Sequence, residues 1–82
     1  MYEIIFSDTA SKQFKKLEQK IQQRIFNALD RIKIRPEAYL IKLVGQDLYK
    51  FRVGEYRLLM DLFQDKLVIL VVKVGHRRNV YK

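Results

Sequence analysis

The chain contains no cysteine and a single histidine. The first absence excludes a disulfide scaffold and thiolate metal ligands. The second excludes a multi-histidine metal centre. No apolar run approaches the roughly 18 residues that span a bilayer; the longest, Leu67 to Val72, has six. The opening Met1-Tyr2-Glu3-Ile4 has neither the basic leader nor the long apolar stretch of a secretory signal. P-loop, dinucleotide-binding, EF-hand and HExxH patterns are missing, and no catalytic carboxylate pair is evident. These absences point to a reducing compartment, most simply the cytoplasm. They predict no cofactor, no resident metal and no membrane partner.

What the chain has is positive charge. Seventeen Lys and Arg stand against nine acids in 82 residues, a formal net charge of +8. That balance predicts an anionic partner. The excess is spread evenly: residues 1–46 and residues 47–82 each carry net +4. The last ten residues hold Lys73, Arg77, Arg78 and Lys82 with no acid. Val74-Gly75 and Val80-Tyr81 interleave with these cations, a pattern that suits an RNA surface better than a solubilising tail. With 49% hydrophobic residues the chain belongs to the globular class, and its length predicts one domain over residues 1–82.

Tyr2 to Phe6 reads as a first strand. Ser7, Asp8 and Thr9 follow, all good helix N-caps. From there to Arg35 there is neither Gly nor Pro, and apolar residues recur at steps of three and four: Ala10, Phe14, Leu17, Ile21, Ile25, Ala28, Leu29, Ile32. Pro36 ends the pattern. One helix of that span would be ~40 Å long, too long for a domain whose radius of gyration should be about 12 Å. A break is therefore expected near Glu18-Gln19-Lys20. Glu37 to Gln46 reads as a connector, followed by strands at Leu48–Val53, Tyr56–Phe63 and Leu67–Lys73, with a hairpin at Gly54-Glu55. The expected fold is α+β: a small, twisted, mainly antiparallel four-stranded sheet with a helical hairpin packed on one face, in the order β-α-α-β-β-β.

Alternation along the second strand puts Tyr49, Phe51 and Val53 toward the helices and Lys50 and Arg52 on the opposite face. Arg57 opens the next strand, and Arg77 is expected beyond a bend at Gly75. Such cations could simply solvate an open sheet face. Grouped without acids between them they repel one another, which favours a phosphate site. Tyr2, Tyr39 and Tyr49 read as core or rim aromatics, and Gly54 and Gly75 as turn glycines.

Two segments, Tyr49-Lys50-Phe51-Arg52-Val53-Gly54-Glu55-Tyr56-Arg57-Leu58 and Val74-Gly75-His76-Arg77-Arg78-Asn79-Val80-Tyr81, resemble the signature segments of the RelE/ParE toxin superfamily. Phe6 to Leu17 carries a similar likeness, so the resemblance spans the chain. It implies a toxin of a toxin–antitoxin system, neutralised by a cognate acidic, RelB-like antitoxin. The RelE branch acts as a metal-independent endoribonuclease on mRNA in the ribosomal A site and inhibits translation; the ParE branch poisons DNA gyrase and generally lacks the cleavage residues. By resemblance to the RelE branch, the catalytic set is Lys50, Arg52, Arg57, Arg77 and Tyr81, with His76 as a further candidate where the best-known member carries lysine. Arg78 joins Lys50, Arg52, Arg57, Arg77 and Tyr81 as an RNA-binding residue.

The chemistry asked of these residues is definite. In metal-free RNA cleavage the substrate's own 2′-OH attacks, so the protein must accept that proton, stabilise a pentacoordinate phosphate and protonate the leaving 5′-oxygen. Arginine stays protonated and cannot be the base. A neutral lysine or histidine can, which leaves Lys50 and His76 as alternatives. The arginines would clamp the phosphate, and Tyr81 would stack an unstacked base. Two other readings stand beside this one: a ParE-like toxin without nuclease activity, and a non-catalytic RNA-binding module.

Overall fold

The computed structural model describes residues 1–76. β1 (Glu3–Phe6) leads into α1 (Asp8–Lys15) and α2 (Gln19–Ile32). A 3-10 turn (Pro36–Ala38) and a two-residue strand β2 (Ile41–Lys42) follow, then β3 (Tyr49–Val53), β4 (Tyr56–Phe63) and β5 (Val68–His76). The sheet order is β1-β5-β4-β3-β2. β1 runs parallel to β5, and the other neighbours are antiparallel. The radius of gyration is 11.8 Å.

The helices begin and end where local chemistry directs. Ser7 caps α1: its Oγ accepts the Ala10 N–H at 3.0 Å and donates to the Val72 carbonyl at 2.8 Å. One hydroxyl thus starts a helix and binds it to β5. Asp8 in the first turn and Lys12 and Lys15 in the last complement the helix dipole. The break between α1 and α2 falls at residues 16–18, with Glu18 at the N-cap position of α2. No glycine or proline causes it. Gln22 of α2 donates through Nε2 to the carbonyls of Phe14 at 3.2 Å and Leu17 at 3.0 Å. The Phe14 carbonyl also accepts the Leu17 N–H at 3.1 Å, so Gln22 ties α2 to the turn that closes α1.

The apolar stripe meets the sheet. Ala10, Phe14, Ile25, Leu29 and Ile32 from the helices pack with Leu40, Leu58, Met60, Ile69, Val71 and Val74. Burying each of the larger side chains contributes about 1.5–3 kcal/mol. Beyond the end of β1, the open edge of β5 is covered by α1. The Ser7 N–H donates to the Val71 carbonyl at 2.9 Å, and Gln13 Oε1 accepts the Val74 N–H at 2.7 Å.

Three features differ from the sequence expectation. The sheet has five strands rather than four, because Ile41 and Lys42 pair with Lys50 and Tyr49 across a turn whose Gly45 has φ +74°. β5 runs on to His76, so Gly75 lies within a strand opposite Arg57 and is not the bend expected there. Pairing between β4 and β5 shifts register at Leu59/Met60, which lets both strands keep apolar side chains on the helix side.

Candidate nucleic-acid interface

The β3–β4 hairpin builds the basic face. Gly54 takes φ +58° in its turn, a conformation that costs an L side chain about 1–2 kcal/mol. The register then sets Arg52 directly opposite Arg57. Lys50, two residues before Arg52, shares their face, as strand alternation requires. Lys50, Arg52 and Arg57 line one hollow of about 280 Å³ together with Tyr39 and Ile41. Among the described residues lining it there is no carboxylate. Like charges directly opposed across a ladder destabilise a sheet.

Neighbouring positions keep the hollow open and shaped. The β5 residue opposite Arg57 is Gly75, which adds no side chain to that face. Opposite Lys50 is Leu59, which is buried yet apart from the main core. Arg52 Nε donates to the Gly54 carbonyl at 3.1 Å, drawing its guanidinium toward the turn.

The described residues thus bring three of the expected site residues together. His76 stands elsewhere. It pairs with Tyr56, their rings 5.7 Å apart in edge-to-face contact. Tyr56 in turn pairs with Val53, which packs against the core. Alternation therefore places His76 on the face opposite Lys50, Arg52 and Arg57. Arg77, Arg78 and Tyr81 lie outside the described residues.

The structure also singles out residues that sequence reasoning passed over. Tyr39, read as a core or rim aromatic, is 49% exposed and borders the hollow. Across the edge of β3 it borders a second hollow, of about 390 Å³, into which α2 brings Arg24 and Arg31. Those two arginines are seven residues apart, two helical turns on one face. That spacing was the available signal for them; Tyr39 offered none.

A family model described as the ParE toxin of type II toxin–antitoxin systems, parDE, matches residues 4–81. The chain belongs to the RelE/ParE toxin superfamily. A curated RelE-like toxin protein of Escherichia coli is 34% identical over 81 residues, covering 95% of this chain and 85% of that protein. The crystal structure of the isolated E. coli RelE toxin is similar with a TM-score of 0.80 at 31% identity, over 99% of this chain and 92% of that one. The toxin in the intact E. coli RelBE toxin–antitoxin complex gives 0.80 at 30% identity, over 93% and 96%. This superfamily member therefore has the α+β architecture of the RelE toxins, with the helical pair on one face of the sheet and the basic hollow on the other.

Proposed function

We propose that this toxin is a ribosome-dependent endoribonuclease that cleaves mRNA in the A site and so inhibits translation. The observation that carries the reading is the convergence of Lys50, Arg52 and Arg57 on one open hollow, with no carboxylate lining it among the described residues. The scissile phosphate sits there. Its neighbouring 2′-oxygen attacks phosphorus, the bond to the 5′-oxygen breaks, and a 2′,3′-cyclic phosphate forms. Lys50, as the neutral amine, accepts the 2′-OH proton. Arg52 and Arg57 hold the equatorial oxygens as negative charge grows on them, in the manner of an oxyanion site. Arg77 adds a further guanidinium, and Tyr81 stacks a base next to the cut. The leaving 5′-oxygen takes a proton from the protein or from water. Lys50 is favoured over His76 as base, since His76 stands on the other face of β5.

The partner in the cell is a cognate antitoxin, as in the E. coli RelBE complex. An acidic, RelB-like chain would be drawn to the basic face and would cover Arg77 and Tyr81. An apolar landing site for a partner helix lies on the helical side, where Phe6, Phe14 and a 48% exposed Phe26 form a ladder with ring centroids 5.3 and 4.9 Å apart. Action on mRNA places the toxin in the cytoplasm. One observation favours a second reading: the matching family model is that of ParE, which supports a toxin acting on DNA gyrase without nuclease chemistry.

Single-turnover cleavage of A-site mRNA at saturating toxin separates the two. Lys50→Ala and Arg57→Ala should each slow cutting by ~10²–10³. Wild-type rates in both variants, or gyrase-dependent DNA breaks in place of mRNA cuts, would refute the nuclease reading.

A further inference from the structure

The hollow between α2 and the free edge of β3 has no role in the chemistry above, yet it is built like a second anion site. Arg24 and Arg31 enter it from α2 and Arg52 from β3, with Asn27 between the two helical arginines and Tyr39 at the rim. Among the described residues lining it there is no carboxylate. The hairpin turn positions two of the three guanidiniums. Arg52 Nε bonds to the Gly54 carbonyl, and Arg24 lies so close over Gly54 that a Cβ there would be 2.9 Å from Nη2. Three guanidiniums gathered on one surface repel each other unless an anion lies among them.

Continuity decides which anion. Arg52 and Tyr39 line both this hollow and the one holding Lys50 and Arg57. A linear polyanion leaving the first hollow over the β3 edge meets a half-exposed aromatic ring and then the second set of guanidiniums. Alternating ring and cation is the arrangement that holds a single strand, by stacking a base and neutralising the phosphates on either side. We propose that the α2–β3 hollow is a second single-stranded RNA subsite, in which Arg24 and Arg31 hold phosphates flanking the cut, Arg52 joins the two hollows and Tyr39 stacks a base between them. This subsite rests on the RNA reading of the neighbouring hollow and extends its footprint along the strand.

The test is fluorescence anisotropy of the intact chain with a 5′-fluorescein-labelled RNA decamer and a trinucleotide, over a salt series. Arg24 and Arg31 are exposed, so Gln substitution leaves the core untouched. In the Arg24→Gln/Arg31→Gln variant the log affinity–log salt slope for the decamer should flatten by about 1.4, two phosphates at roughly 0.7 each. The trinucleotide, short enough for one hollow, should bind as to wild type. Lys at both positions should restore the slope. Tyr39→Leu should weaken decamer binding roughly 5- to 150-fold, the equivalent of one lost base stack, and Tyr39→Phe should not. An unchanged slope in the double variant, or wild-type affinity in Tyr39→Leu, overturns the subsite. So does loss of binding to a fluorescein-labelled oligoglutamate peptide with RNA binding intact, which would make the hollow a protein site. The ribosomal assay reports separately: a chain that cuts no A-site mRNA but shows these binding changes keeps the subsite and loses the nuclease reading, and the reverse pattern does the opposite.

Discussion

Gly54 is the point where backbone geometry and the basic surface depend on one atom. In Gly54→Ala, the αL conformation at φ +58° costs about 1–2 kcal/mol. The stiffer unfolded chain returns about 0.4–1 kcal/mol of that. The new methyl group also meets Arg24 Nη2 at 2.9 Å, but that contact is with the far end of a flexible side chain, which can swing aside. The expected net loss is therefore about 1 kcal/mol, which in a domain of this size lowers Tm by roughly 4–8 °C. Thermal and urea unfolding followed by circular dichroism measure it. Gly54→Asn should recover part of the loss, because Asn tolerates αL. In an Arg24→Ala background the cost of Gly54→Ala should change by less than about 0.5 kcal/mol, the mark of weakly coupled sites. A Gly54→Ala protein as stable as wild type refutes the backbone reasoning. A large coupling to Arg24 shows that the guanidinium is held rigidly and that its displacement carries the cost.

Three further outcomes follow from the same structure. Gln13→Ala removes the acceptor for the Val74 N–H, so urea unfolding should show a loss of about 1–3 kcal/mol, largely recovered in Gln13→Glu; equal midpoints for Gln13→Ala and wild type would mean that the bond adds nothing. Cleavage should persist in excess EDTA when polyamines keep the ribosome intact, since the hollow lined by Lys50, Arg52 and Arg57 offers a divalent ion no carboxylate among the described residues; activity lost in EDTA and restored specifically by a divalent ion contradicts this. Phe26→Glu should abolish capture of the acidic antitoxin in titration calorimetry while costing about 0.5–1.5 kcal/mol of stability through the lost contact with Phe14; undiminished antitoxin affinity would move the docking site elsewhere.

The elements with strong local signals were legible in the sequence. Ser7 as N-cap, the long 3.6-residue periodicity and the alternation of β3 each arise within a few residues. They sufficed to place α1, α2, β3 and β4 and to put Lys50 and Arg52 on the face away from the helices. β2 escaped because its two residues, Ile41 and Lys42, are both exposed and owe their extended form to pairing with β3. Gly75 was misread because a strand glycine and a turn glycine look alike until the partner is known, here Arg57. The helix break was located to within two residues, but the bonds from Gln22 back to Phe14 and Leu17 that accompany it have no sequence signature. The second hollow was hidden for the same reason. Arg24, Tyr39 and Arg52 belong to a helix, a connector and a strand, and only packing makes them neighbours.

The parallel pairing of β1 with β5 has a consequence in time. Glu3 lies beside Val68, and Ser7 and Gln13 bond to residues 65 and 61 positions further along. Synthesis proceeds at roughly 5–20 residues per second, N-terminus first. The first strand and helix therefore wait several seconds for the strand that completes them. Meanwhile β2, β3 and β4 can pair only as a partial sheet without β5, and Lys50, Arg52 and Arg57 lack the full sheet that holds them in one hollow. β5, the last of the described strands in sequence, lies inside the sheet between β1 and β4. A chain in which β5 is not yet in place thus lacks the assembled basic face.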